Sequence, residues 1–188
     1  MLTPTRRGDA GTRSLNFALQ AALNPPKPGK QERRFGELVF REGDRVMQTR
    51  NDYDVVWQKE DGTAGTGIFN GDVGKIAKID PSGELLEIVF DDRTATYTSD
   101  MLAELDMAYA MTVHKAQGSE YRGVVFIGAP CAPSLMVRGV LYTAITRARE
   151  LLVIVGDDSA VNKMAENDRR SRRYSGLKWR LRKGGEEK

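Results

Sequence analysis

The sequence predicts an α/β protein whose parallel sheet is interrupted by a small β-barrel. Two changes of texture carry that expectation. Between residue 36 and about 104, short runs rich in branched and aromatic residues alternate with turn signals, at the spacing of a small barrel. From 105 to 160 the pattern becomes near-continuous apolar runs with a helix between them, as in a parallel sheet covered on both faces. A barrel-like stretch inside an α/β frame reads as an insertion, with the α/β parts on either side packing together.

The elements follow in order. Thr12 to Leu23 reads as a helix with Leu15, Ala18, Leu19, Ala22 and Leu23 on one face, stopped by Asn24-Pro25-Pro26. Val46–Thr49, Val55–Gln58, Val73–Ile79 and Leu85–Phe90 read as strands. Glu60-Asp61-Gly62, Asn70-Gly71-Asp72, Pro81-Ser82-Gly83 and Asp91-Asp92-Arg93 separate them as turns. Ala108–Met111, Gly123–Gly128 and Leu151–Gly156 read as strands of the main sheet. Met136–Ala148 reads as a helix, and Asp157-Asp158-Ser159 can cap a last helix running to Asn167.

Composition narrows the classes. Hydrophobic residues make up 40% and charged residues 29%, the balance of a water-soluble globular chain, and no run approaches a membrane span. The opening Met1-Leu2-Thr3-Pro4-Thr5-Arg6-Arg7 lacks the apolar core of an export signal. A single cysteine excludes an internal disulfide and fits the cytoplasm; one cysteine and one histidine make a poor zinc set. The formal charge is +3, but Lys163–Lys188 holds ten basic and four acidic residues, a net +6, leaving −3 elsewhere. A basic tail on a balanced body suits a polyanion, or a solvated chain end.

Two stretches imitate nucleotide machinery without its parts. Asn70-Gly71-Asp72-Val73-Gly74-Lys75-Ile76 has Phe69 where a phosphate loop needs its first glycine, and Ile76 where it needs the metal-binding hydroxyl. Ile88-Val89-Phe90-Asp91-Asp92 runs on into Arg93-Thr94 and another β-rich run, so its acids belong to a hairpin turn. No other segment offers a phosphate loop, and the chain by itself is expected not to hydrolyse ATP.

Two segments carry chemistry. In Ala108-Tyr109-Ala110-Met111-Thr112-Val113-His114-Lys115-Ala116-Gln117-Gly118-Ser119-Glu120-Tyr121, a strand delivers Thr112 to its carboxyl end, where ligands gather on parallel sheets. A hydroxyl and an imidazole there can touch phosphates without reading bases. Gly118 allows a sharp turn, and Glu120 can accept from a ribose. In Val140-Leu141-Tyr142-Thr143-Ala144-Ile145-Thr146-Arg147-Ala148-Arg149-Glu150, Arg147 ends a helix facing the sheet. A guanidinium there can reach a γ-phosphate, or pair with an acid, or cap its own helix. His114 alone could equally be a packing residue.

Taken together, TVHKAQGSEY resembles motif V and VLYTAITRARE resembles motif VI of superfamily 1 helicases, in the right order and about twenty residues apart. The barrel region adds Gly43-Asp44-Arg45-Val46-Met47-Gln48 and Phe69-Asn70-Gly71-Asp72-Val73-Gly74, which are similar to the RecD-like branch. Thr3-Pro4-Thr5-Arg6-Arg7-Gly8-Asp9-Ala10-Gly11 followed by Leu15-Asn16 resembles motif IV. The likeness covers about residues 1–182 and leans toward free-standing RecD-like helicases rather than the subunit of the recombination nuclease complex.

The resemblance implies a RecA-like, P-loop-NTPase-like second motor domain that lacks its own P-loop, with an inserted SH3-like barrel. The expected layout is 1–32 first motor part, 33–104 barrel, 105–168 second motor part and 169–188 basic tail. It implies ATP-driven, 5′→3′ unwinding along single-stranded DNA, with a role in DNA repair and recombination. By position, Thr112 and His114 would touch DNA phosphates. Glu120, Gly118 and Gln117 would line the ribose site, Arg147 would be the γ-phosphate finger, and Arg6 or Arg7 would contact phosphate. ATP with Mg²⁺ would be held mainly by a first RecA-like domain, the expected partner, since the earlier helicase motifs are absent. The chain is then a helicase fragment. The rival readings are a stand-alone nucleic-acid-binding module with no ATPase role, and a pure interaction module whose barrel docks another protein.

Overall fold

The computed structural model describes residues 1–169. The expected basic tail, apart from Arg169, lies outside the described residues. Strands β1 (Leu2–Thr3), β11 (Met111–Thr112), β12 (Tyr121–Gly128) and β13 (Ala148–Gly156) form a parallel sheet in the order β11-β1-β12-β13. Helices α2 (Arg138–Ile145) and α3 (Asp158–Glu166) pack together and against this sheet. The chain leaves β1 and returns beside it at β11: Met111 N donates to Met1 O and Val113 N to Thr3 O, both at 3.0 Å.

Between these strands lie β4 (Arg45–Gln48), β5 (Asp52–Gln58), β6 (Ala64–Ile68), β7 (Val73–Ile79), β8 (Leu85–Phe90), β9 (Arg93–Thr98) and β10 (Leu105–Met107). They form one antiparallel sheet in the order β10-β4-β7-β8-β9-β5-β6. Val46 on β4 and Ile68 on β6 share one buried cluster with Ile76, Leu86, Ile88, Phe90 and Tyr97. Strands so far apart in a flat sheet could not meet, so the sheet rolls around this core. The alternation of buried and exposed residues along β7 and β8 is the period-2 pattern of strands with one solvated face. Asp91 takes φ 52° in the two-residue turn between Phe90 and Arg93, the left-handed geometry of a tight hairpin.

Several expectations need correction. Helix α1 spans Thr12–Leu23 as read, but its buried residues are Asn16 and Gln20, followed by Asn24 at the cap; Leu23 is 68% exposed. This polar i, i+4, i+8 stripe is buried because each amide meets fixed partners. Asn16 Nδ2 donates to Met107 O and Ala110 O at 3.0 Å, and its Oδ1 accepts from Ala110 N at 2.7 Å. Leu105–Met107 belongs to the barrel sheet, paired with β4, and of the expected 108–111 strand only Met111 is β. The hairpin β2 (Glu32–Phe35) and β3 (Leu38–Arg41) was hidden by its charges. Helix α2 is shorter than Met136–Ala148 because Ala148 already pairs with Tyr121 in the sheet. Finally, the expected two-sided cover fails at β13. Among the described residues it is an edge strand, and Leu151, Val153, Ile154 and Val155 are exposed.

Candidate functional site

The 112–120 segment begins where β11 ends. Thr112 O accepts from Lys115 N at 3.0 Å and Ala116 N at 3.1 Å, and its Oγ1 accepts from Lys115 N at 3.3 Å. The hydroxyl therefore closes a single tight turn, and the fully buried Ala116 pins that turn to the core. His114 and Gln117 point outward, exposed. Gly118 sits at φ 87°, where a side chain is strained, although a Cβ there would meet nothing. Because β11 and β12 are parallel, the segment must run back along the sheet to start β12. Met111 and Phe126 both lie level with Leu2, so Thr112 leaves the carboxyl end of β11 while Glu120 precedes the amino end of β12.

At the carboxyl end, a groove of about 840 Å³ separates the parallel sheet from the barrel, with Arg6, Thr49, Asn70, Thr112, His114 and Lys115 on its walls. Lys115 Nζ donates to Asn70 Oδ1 and, at 3.4 Å, to Thr49 O, which ties the turn to the barrel. The loop after β1 is folded tightly on the start of α1. Thr3 Oγ1 donates to Ala10 O at 2.7 Å, and Thr12 N to Thr5 O at 3.1 Å. Gly11 is required there, since a Cβ would lie 2.6 Å from the backbone of Arg6 and Arg7. Arg6 reaches Asp106 at 3.6 Å, and both Arg6 and Arg7 are exposed.

At the amino end stand Gly118, Glu120 and Arg147. The Arg147 guanidinium donates from Nη1 to Ser119 O at 2.9 Å and from Nε to Thr143 O at 3.3 Å. It thus caps the carboxyl end of α2, where a cation meets the negative end of the helix dipole, and it links α2 to the 112–120 segment. Among the described residues it has no carboxylate partner. Tyr121 N also donates to Arg147 O at 2.8 Å. Glu120 accepts from Arg149 Nε at 2.7 Å, with both side chains largely exposed.

The structure therefore divides the expected site residues. Thr112 and His114 share the groove with Arg6, while Gly118, Glu120 and Arg147 gather at the far end. Gln117 lies between, beside Thr143 and His114. Of the three arginines expected at phosphate, Arg6 and Arg7 lie on the loop after β1 and Arg147 lies between α2 and β13. Sequence reasoning also missed Lys115 as the tie to the barrel, and Arg149 as the partner of Glu120. The Arg147-Ala148-Arg149 spacing was the available signal for Arg149; nothing local pointed to Asn70 as a partner of Lys115.

One end offers a guanidinium and a carboxylate beside a left-handed glycine. Among the described residues no three His, Cys, Asp or Glu side chains gather as a metal site. No helix among them is long and apolar enough to cross a membrane.

Residues 15–90 match the ATP-dependent RecD-like DNA helicase SH3 domain, and residues 107–155 match the UvrD-like helicase C-terminal domain. The ATP-dependent RecD2 DNA helicase of Deinococcus radiodurans is 37% identical over 92% of this chain and 22% of its own length. The RecBCD enzyme subunit RecD of Mycolicibacterium smegmatis is 30% identical over 98% of this chain and 29% of its own. Crystal structures of Bacteroides Pif1, one bound to ssDNA and one with ADP-AlF3 and ssDNA, share the fold. Their TM-scores are 0.52 and 0.53, at 17% and 18% identity, covering 99% of this chain and 45% of theirs. The chain spans under a third of the length of these curated relatives. Two consecutive domain matches and relatives that run along nearly the whole chain make it a member of the RecD-like DNA helicase family, carrying that family's SH3 domain and UvrD-like C-terminal domain.

Proposed function

We propose that this chain is the coupling half of an ATP-driven motor that moves 5′→3′ on single-stranded DNA. It would hold DNA in the groove and sense nucleotide at the opposite end of the sheet. The observation that carries this reading is the course of residues 112–120. One short segment starts at the groove with Thr112 and His114 and ends at Glu120, with Ser119 O held by Arg147. A shift of Arg147 toward a γ-phosphate would break its bond to Ser119 O and so free the segment whose other end contacts DNA.

In that reading the Thr112 and His114 side chains contact DNA phosphates, which positions the strand without reading sequence. Arg6 and Arg7 add positive charge along the same rim. Glu120 accepts from the ribose, Gly118 and Gln117 shape the wall, and Arg147 stabilises charge on the γ-phosphoryl group. Bound ATP with Mg²⁺ supplies the phosphoanhydride whose hydrolysis drives movement. The phosphate cradle and metal ligands come from a separate P-loop domain, because this chain offers neither.

The test combines the chain with a P-loop domain of a RecD-like helicase, in one polypeptide or two. DNA-stimulated ATP turnover is expected only in the combination, and Thr112→Ala with His114→Ala should weaken the stimulation by DNA. Turnover by this chain alone, lost on chelating magnesium, would overturn the proposal. So would a folded combination with no turnover.

A further inference from the structure

The barrel presents two exposed aromatic rings next to Asn70, a residue that lines the groove. Tyr53 is 65% and Phe69 41% exposed, and their rings meet edge to face with centroids 5.6 Å apart. They are held in place rather than loosely displayed. Phe69 lies over Gly67 on the edge strand β6, where a Cβ would sit 3.0 Å from the ring tip. Asn51 Nδ2 lies 3.4 Å from the Tyr53 hydroxyl, and its Oδ1 accepts from Asn70 N at 3.0 Å. The other aromatic nearby, Trp57, differs. It is partly buried, stacked beneath the Arg93 guanidinium at 5.7 Å and pressed on Gly65, so it serves the barrel itself.

The position of the pair is set by Asn70. This residue follows Phe69, lines the groove and takes the Lys115 ammonium, next to His114. A strand held by its phosphates at Thr112, His114 and Lys115 would therefore pass within one residue of the aromatic faces. Asp52 and Asp54 flank Tyr53, which disfavours phosphate at the rings themselves. An uncharged, flat ligand group suits the rings, and cations suit the backbone beside them.

We propose that Tyr53 and Phe69 form a stacking platform for unpaired bases of a single-stranded nucleic acid, extending the groove across the barrel. This rests on the groove being a nucleic-acid path, as argued above. Every base offers a π-face, so the platform adds affinity with little sequence preference. It also discriminates strands with bases from bare polyanions, which the phosphate contacts cannot do.

The experiment measures binding of this chain to labelled oligothymidylate and to an abasic strand of equal length, by fluorescence anisotropy at low salt. The wild type should bind the strand with bases at least about 5-fold more tightly. Tyr53→Leu and Phe69→Leu should each remove most of that difference, with the loss confined to the strand that carries bases. Leucine keeps an apolar cover on Gly67, and Tyr53 touches no core, so circular dichroism should report an unchanged fold. Equal wild-type affinity for the two strands would overturn the platform and leave the groove reading intact. So would undiminished binding of oligothymidylate by both variants, which would point to a protein segment as the occupant of the rings. Failure of the folded chain to bind either strand would remove the groove reading and the platform with it.

Discussion

The Tyr109 hydroxyl donates to the carboxylate of Asp44 at 2.7 Å, joining the approach to β11 to the first turn of the barrel. Asp44 is fully buried and accepts three more hydrogen bonds: from Gln20 Nε2 at 2.5 Å, Asn24 Nδ2 at 2.6 Å and Arg41 N at 2.8 Å. One carboxylate thus holds α1, the barrel and the segment leading to Thr112 in a single arrangement. Removing it strands several buried donors, each costing about 1–3 kcal/mol. Asp44→Ala should therefore destabilise the chain by about 3 kcal/mol or more in urea unfolding, and Tyr109→Phe by about 1–2 kcal/mol.

The same pair predicts a pH dependence. Burial, and then the hydrogen bond and charge of Asp44, push the Tyr109 hydroxyl well above the ordinary tyrosine value of 10.0. A tyrosine whose pKa is raised by folding contributes stability that is present below pH 10 and is lost as pH rises from there toward the folded value. Tyr97, raised by burial inside the barrel, acts in the same direction. Melting temperature should fall above pH 10 in the wild type, and fall less steeply in Tyr109→Phe. An equally steep decline in both proteins would show that Tyr109 ionises freely.

Asp44 also shows why part of the fold was legible in the sequence and part was not. Strands β7 and β8 could be bounded from their alternation and their turns, and α1 from the Pro25-Pro26 stop. These are local signals, and they survive folding. The buried stripe Asn16, Gln20, Asn24 was not readable, because amides at helical spacing look like a solvated face until their distant partners are known. The site followed the same rule. Motif residues Thr112, His114, Glu120 and Arg147 stood out as local strings, whereas the Lys115–Asn70 tie joins residues 45 apart.

Two glycines separate steric from conformational demands at the site. Gly11 has an ordinary φ of −82°, but its α-carbon faces the backbone of Arg6 and Arg7 at close range. Gly118 has open space and a left-handed backbone. Gly11→Ala should cost about 2 kcal/mol or more, because backbone must move, and should weaken DNA binding by displacing Arg6 and Arg7. Gly118→Ala should cost about 1–2 kcal/mol without disturbing the groove. Thermal melts and anisotropy on both variants check this; equal effects on DNA binding would contradict the separation of the two ends.

Arg147 has a visible structural task, and that makes its proposed catalytic task testable. Its guanidinium caps α2 and holds Ser119 O, so Arg147→Ala must lose some stability whatever else it does. A cation at a helix carboxyl end is worth about 0.3–1 kcal/mol, which is a melting shift of a few degrees in a chain of this size. A γ-phosphate finger is worth on the order of 10³-fold or more in rate, because charge builds on the phosphoryl group chiefly in the transition state. The two roles therefore differ in scale. In a complete enzyme, Arg147→Ala should lower the melting temperature slightly, leave DNA affinity without nucleotide unchanged, and reduce ATP turnover by about three orders of magnitude. Arg147→Lys should restore much of the helix cap and little of the turnover, since lysine keeps the charge but loses the planar fork. If turnover in folded Arg147→Ala falls only in step with its stability, the residue is a cap alone, and the coupling to residues 112–120 must come from elsewhere at that end of the sheet, where Arg149 already holds Glu120.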